Sequence, residues 1–228
     1  MRPVNPSHAG AAPHGGSYAD PVPTSAAADR PTAVVPIRSF HDSKRRLAGA
    51  LDDGERAELL RASARGVVAA LGDGPVLVVS DDHEVHTWAA ALGIEVVAPG
   101  TAGLSRAAAA AREHLRRSGV RRMMVVHADI WSPGGLRSVA DLAGIVIVPD
   151  LALDGTNVLV LPTDGEFEFA YGAGSFRRHL MAATRLASST GASLCVRRDR
   201  SLGHDIDTPD DLHHPLTGYV RPETRSDT

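Results

Sequence analysis

Apolar positions along the chain follow two rhythms. Short, continuously apolar runs recur at Ala33–Ile37, Val76–Val79, Ile94–Ala98, Met123–Val126 and Ile145–Val148. Strands that are apolar throughout are covered on both faces, as in a parallel sheet flanked by crossover helices. Between these runs the apolar residues gather on one helical face. Asp52 and Glu55 form the two halves of a capping box, after which Ala57, Leu60, Ala64, Val67, Val68 and Leu71 keep a helical period. Asp81 followed by Glu84 repeats the capping signal for a second helix, which Gly93 closes. Leu104–Ser118 reads as an Ala-rich third helix ended by Gly119. Ser132-Pro133 reads as a cap followed by a first-turn proline. From residue 156 the rhythm changes. Val158–Leu161 and Phe167–Tyr171 read as a hairpin or edge strands, followed by a helix over Ser175–Ser189 and a strand over Leu194–Arg197. The expected fold is a three-layer, Rossmann-like α/β domain with a mostly parallel sheet and a mixed edge.

Composition sharpens this picture at the ends of the chain. Residues 1–32 are rich in Pro, Gly, Ala, Ser and His and have no apolar period. Such a segment cannot bury enough surface to offset its ordering entropy, so a disordered N-terminal tail is expected. Residues 215–228 are polar again and are expected to form a flexible C-terminal tail. The folded body is then 33–214. Hydrophobic residues make up 43% of the 228, enough for a core, and aromatics only 4%, so Val, Ala, Leu and Ile must fill it.

Charge and cysteine content exclude several classes. Lys and Arg number 24 against 27 Asp and Glu, a net charge of −3, so there is no basic footprint for nucleic acid. No run of about 18 apolar residues exists, so no membrane span is expected, and the N-terminus does not read as a secretory signal. The lone Cys195 cannot form an internal disulfide and fits a reducing, cytoplasmic setting. It falls in a predicted strand, where a packed role is expected. The 11 histidines form no zinc pattern; His83 and His86 share a helix face without further ligands at finger spacing. Ser80-Asp81 lacks the context of a nucleophile elbow.

In open α/β sheets, ligands bind beyond the carboxyl ends of the strands. The loop after the first strand carries Arg38, Lys44, Arg45 and Arg46. Four cations so close together repel one another unless an anion balances them. They read either as a triphosphate cradle or as a solvated basic turn. Neither GxxxxGK[ST] nor GxGxxG follows that strand, which excludes a Walker loop and removes the main support for a dinucleotide enzyme. Asp129 stands at the tip of the fourth strand, where a carboxylate costs desolvation unless a cation pairs with it. Asp205 and Asp207 share one side of an extended segment. The three make an all-oxygen set suited to Mg²⁺ with substrate phosphates. Asp207-Thr208-Pro209-Asp210-Asp211-Leu212 also reads as a helix start capped by Thr208, which does not compete with metal binding. Gly172-Ala173-Gly174-Ser175 precedes a helix and reads either as an anion site or as a turn capped by Ser175. Gly155-Thr156-Asn157 reads as a turn, or as an amide and hydroxyl facing the same anion.

Taken in order, these segments resemble a known family. They are Val35-Pro36-Ile37-Arg38-Ser39, Ser43-Lys44-Arg45-Arg46-Leu47, Val78-Val79-Ser80-Asp81-Asp82, Ala128-Asp129-Ile130 and Gly155-Thr156-Asn157. Tyr171-Gly172-Ala173-Gly174-Ser175-Phe176-Arg177-Arg178-His179 and Asp205-Ile206-Asp207-Thr208-Pro209 follow. Over 33–214 the chain is similar to the phosphoenolpyruvate / 2-phospho-L-lactate guanylyltransferases of coenzyme F-420 biosynthesis. The resemblance implies a nucleotidyltransferase α/β domain that joins GTP to phosphoenolpyruvate, giving enolpyruvyl-diphospho-guanosine and pyrophosphate. It implies that Asp129, Asp205 and Asp207 bind the metal, Mg²⁺. Thr156, Gly172 and Ser175 would hold the carboxylate end of phosphoenolpyruvate, and Lys44, Arg38 and Arg46 would face the triphosphate as the catalytic cations. It also implies a downstream deazaflavin transferase as partner, because the product should be unstable alone.

Three positions depart from the family pattern. Arg38 replaces a lysine, His127-Ala128-Asp129-Ile130-Trp131 replaces Pro-Ala-Asp-Leu-Pro, and Gly103-Leu104-Ser105 replaces Gly-Leu-Asn near the nucleobase. Three alternatives stand beside this reading. The first is the same chemistry on 2-phospho-L-lactate. The second is another acceptor such as a molybdopterin or sugar phosphate, disfavoured because the first loop has no glycine before Gly49. The third is a degenerate nucleotide-binding module without turnover.

Overall fold

The computed structural model describes residues 30–100 and 102–213. The expected tails lie outside these residues, save that Pro31 and Thr32 are buried and Thr32 opens the first strand. The strands are β1 Thr32–Pro36, β2 Val76–Val79, β3 Glu95–Val97, β4 Arg122–Val126, β5 Ile145–Pro149, β6 Thr156–Pro162 and β7 Leu194–Val196. The helices are α1 Asp53–Leu71, α2 His83–Ala91, α3 Leu104–Arg117, α4 Leu136–Ala140, α5 Ser175–Thr190 and α6 Pro209–Leu212. Short 3-10 turns form at Arg45–Leu47 and Pro133–Gly135.

The sheet order is β3-β2-β1-β4-β6-β5-β7. Every neighbouring pair is parallel except the two that involve β6. The sheet is thus mostly parallel and mixed toward its β7 side, as expected. The reversed strand lies inside the sheet, between β4 and β5, and not at its outer limit. The link from β5 is too short for a crossover, so β6 must run back antiparallel. Its first residues therefore lie where β1 and β4 end.

The pleat divides the core into two layers. Ala33, Val35, Met124, Val126, Val146 and Val148 face one side, against α1, α2 and α4. Val34, Met123, Val125, Ile145 and Ile147 face the other, against α3 and α5. The continuous apolar runs exist because both faces are covered.

Local chemistry explains where elements differ from expectation. The α1 capping box forms as predicted between Asp52 and Glu55. At α2 the cap is Asp82, which accepts from the amides of Glu84 and Val85; Asp81 accepts instead from the Gly100 amide at 3.1 Å. Phe167–Tyr171 is not a strand. The Ala170 backbone is satisfied by side chains of α5: its amide donates to His179 Nε2 at 2.9 Å, and its carbonyl accepts from Arg178. The alternation there reflects Phe167 and Phe169 packing over α3 and α5. Ser175 does not cap α5. Gly174 holds that position, with a left-handed φ of 69°, and Ser175 is the first helical residue, almost fully buried.

Candidate active site

Asp129 leaves the tip of β4 and reaches the same place as Asp205 and Asp207, from the far end of the chain. An isolated antiparallel bridge, Ile130 with Asp205, brings the two segments side by side. Ile206 is buried in a small apolar cluster with Leu47, Leu51, Leu59 and Leu212, against which Trp131 also packs. Pinning Ile206 inward turns its neighbours Asp205 and Asp207 to the opposite side. One oxygen from each of the three acids lies within 4.8 Å of the others.

Lys44 joins this acidic group. Its Nζ donates to Asp129 Oδ2 at 2.5 Å and to Asp207 Oδ1 at 2.8 Å, and its side chain is 4% exposed. Leu47, buried in the same cluster as Ile206, anchors the loop that delivers it. The Lys44 backbone adopts a left-handed conformation, φ 58°, which disfavours non-glycine residues and persists only when surrounding contacts impose it. Arg46 Nη1 stands 3.8 Å from Asp207 Oδ2 and is largely exposed.

The electrostatics follow from burial and charge count. Burial works against the Lys44 ammonium, but Asp129 and then Asp207 outweigh it and hold its pKa above the usual lysine value. Burial also works against the Asp129 carboxylate, and here Lys44 prevails, keeping its pKa below the usual range. Asp205 makes no ion pair among the described residues, and Lys44 acts on it more weakly than burial and the other two acids. Burial first, then the Asp129 and Asp207 charges, push it up to about 7. The cluster therefore carries more negative charge than Lys44 balances. An all-oxygen donor set with surplus negative charge fits a hard divalent cation.

The other predicted residues divide. Arg38 is exposed and has no ion pair among the described residues. Thr156 opens β6 beside the tip of β4, because the His127 amide donates to the Asn157 carbonyl at 3.0 Å. Its side chain is buried and bonded to His179. Gly172 is exposed with φ 105°, a conformation that suits glycine. The start of α5 is partly spoken for: Asp154 takes the Gly174 amide at 2.9 Å through its carboxylate and the Phe176 amide through its carbonyl. Asp150 staples the turn before β6, accepting from the Asp154 and Gly155 amides. A Cβ at Gly155 would meet that carboxylate at 2.6 Å, so a larger residue there would displace Asp150 from the turn. The Ser105 hydroxyl accepts from the Tyr171 amide at 2.9 Å. A groove of about 700 Å³ between α3, α5 and residues 165–169 is lined by none of Asp129, Asp205 and Asp207.

Three residues named in the sequence reading without a role of their own lie beside the acids or the start of β6. His127 Nδ1 lies 4.0 Å from Asp129 Oδ1, while its buried Nε2 has no hydrogen-bond partner among the described residues. Tyr171 lies between His127 and His179, at ring-centroid distances of 5.5 and 4.6 Å. His179 follows Ser175 by four residues, which puts both on one face of α5; that spacing was the available signal.

The fold and the acidic centre together define a nucleotidyltransferase: an α/β sheet with a cation-ready site beyond its strand ends. The family model described as "Guanylyl transferase CofC like" matches residues 31–217, and the chain belongs to that family. It is 35% identical over 189 residues to the phosphoenolpyruvate guanylyltransferase of Rubrobacter xylanophilus, covering 79% of this chain and 90% of that one. It is also 35% identical over 205 residues to the protein of the same name from Sphaerobacter thermophilus, covering 86% and 96%. Among solved structures it is similar to a putative nucleotide-diphospho-sugar transferase from Desulfovibrio desulfuricans, with TM-score 0.64, 15% identity, and 81% and 85% coverage. A nucleotidyl transferase from Methanothermobacter matches with TM-score 0.52, 17% identity, and 81% and 95% coverage. At these identities the solved structures speak for the fold.

Proposed function

We propose that this protein is a phosphoenolpyruvate guanylyltransferase of coenzyme F-420 biosynthesis, joining GTP and phosphoenolpyruvate into enolpyruvyl-diphospho-guanosine. The observation that carries this reading is that a chain of this family keeps three acids converged within 4.8 Å beside a buried lysine. In the reaction a phosphate oxygen of phosphoenolpyruvate attacks the α-phosphorus of GTP. The bond from that phosphorus to the β-phosphate bridge oxygen breaks, and pyrophosphate leaves. The nucleophile is already anionic near neutral pH, so no general base is required.

The difficulty is bringing two polyanions together. Two unit charges 4 Å apart repel by about 1 kcal/mol in water and several times more at lower dielectric. Asp129, Asp205 and Asp207 would hold Mg²⁺, which when bound supplies charge neutralisation and orientation of phosphate oxygens. Lys44 positions two of these acids by hydrogen bonding to both. Arg46 and Arg38, exposed on the same loop, supply the positive field that attracts the triphosphate. Thr156, Gly172 and Ser175 hold the carboxylate end of the acceptor, from the start of β6 and the turn into α5. The setting is cytoplasmic, and a transferase acting on the deazaflavin alcohol consumes the product. Among the described residues no helix is long and apolar enough to cross a membrane.

The test is pyrophosphate release by the purified protein, with phosphoenolpyruvate and 2-phospho-L-lactate each crossed against GTP and ATP. Release is expected with GTP and phosphoenolpyruvate. Preference for 2-phospho-L-lactate would reassign the acceptor, and nucleotide binding without release would make the protein a binding module.

A further inference from the structure

His179 is fully buried, and both of its ring nitrogens are engaged. Nε2 lies 2.9 Å from the Ala170 amide nitrogen. A backbone amide can only donate, so Nε2 must present its lone pair. This excludes the doubly protonated ring and leaves one neutral tautomer, with the proton on Nδ1. Burial, then Arg178 and His127, hold its pKa down at about 4, in keeping with a neutral ring. Nδ1–H therefore donates to Thr156 Oγ1, 3.0 Å away.

This direction has a consequence for Thr156. Its oxygen is the acceptor in that bond, so its own hydroxyl proton must go elsewhere. Among the described residues that proton has no acceptor, although Thr156 is only 1% exposed. A buried donor without an acceptor is costly in a folded protein and marks a place where a ligand can complete it. Thr156 opens the reversed strand β6 and so lies at the strand-end edge that carries Asp129. The rings of His127 and Tyr171 continue from His179 toward that acid.

We propose that His179 is a positioning residue for the acceptor pocket: its ring holds the Thr156 hydroxyl so that the hydroxyl proton is donated to an oxygen of a small phosphorylated carboxylic acid. This rests on the placement of the acceptor against Thr156 given above. His179 touches no reacting atom in this arrangement. It sets the direction of one hydrogen bond and ties the start of β6, the Ala170 loop and α5 into one unit.

The test combines ring spectroscopy with kinetics. Long-range ¹H–¹⁵N correlation spectra of the full chain should show His179 as the Nδ1–H tautomer; an Nε2–H or doubly protonated ring overturns the proposal. His179→Ala and Thr156→Val should each raise KM for phosphoenolpyruvate by about 10- to 100-fold, the worth of a hydrogen bond to a charged group. KM for GTP should stay within about two-fold in both. The double variant should be no worse than the weaker single one, because the two residues act through one bond. His179→Asn places an amide N–H where Nδ1–H stood and should restore most of the affinity. Equal losses for both substrates, or an Asn variant no better than Ala, would show a merely structural role. If His179→Ala fails to fold, Thr156→Val and His179→Asn decide the matter. A wild-type protein that does not turn over phosphoenolpyruvate would refute the proposed function, while the ring tautomer would still decide the geometry.

Discussion

Charge left unbalanced is what makes individual residues informative here. Asp129 is held ionised by Lys44, whereas Asp205, without an ion pair among the described residues, is pushed up to about 7 by burial and the neighbouring acids. Such crowding of carboxylates is relieved by added positive charge. Asp129→Asn keeps the side-chain size but removes the charge that Lys44 pairs with and that, in the proposed function, a metal ion would meet. It should lower the rate of pyrophosphate release by about two orders of magnitude or more, beyond the usual effect of losing an outer partner of a metal ligand. Far-UV circular dichroism should be unchanged. Near-wild-type release would remove Asp129 from the site. The three acids were legible because strand-tip position and i, i+2 spacing are local properties. The pairing of Lys44 with two of them was not, since those contacts span 85 and 163 residues of sequence.

Among the elements, the start of α1 was read well and that of α2 was misplaced by one residue. The α1 box is present in both directions, with Asp52 accepting from the Glu55 amide at 2.8 Å and Glu55 accepting from the Asp52 amide at 2.9 Å. Asp52→Ala should therefore cost about 1 kcal/mol of stability. Urea denaturation should show this as a lower midpoint at unchanged slope, and an unchanged midpoint would mean that other groups satisfy the α1 start. Adjacent acids compete for a cap, and Asp82 wins over Asp81 because it is the residue next to His83, the first helical position. Phe167–Tyr171 alternates like a strand, but its backbone bonds go to His179 and Arg178 rather than to a neighbouring strand. Alternation reports burial on one side, and it does not say what satisfies the backbone.

At the scale of the whole molecule, one reversed strand organises the site. Because β6 runs antiparallel between β4 and β5, Thr156 is delivered to the edge where the parallel strands end. The small cluster around Ile206 and Leu47 then locks the Asp205–Leu212 segment and the basic loop to the same edge. The site is thus assembled on a fold already held by two large apolar layers. Chelation of divalent cations should accordingly abolish pyrophosphate release without lowering the thermal midpoint by more than a degree or two, and added Mg²⁺ should restore it. Loss of folded structure on chelation would show that the cation holds the fold as well as the site.

The amino-acid sequence by itself determined the α/β class, most strand positions, the α1 cap and the identity of the acidic, basic and glycine-rich segments, because periodicity and capping are set by residues close together in the chain. Only the tertiary structure decided that β6 is interior and reversed, that Lys44 lies among the acids, and that the Thr156 hydroxyl is held by His179. Those are pairings between distant segments. They depend on which surfaces meet when two buried layers close around one sheet, and no local pattern records that choice.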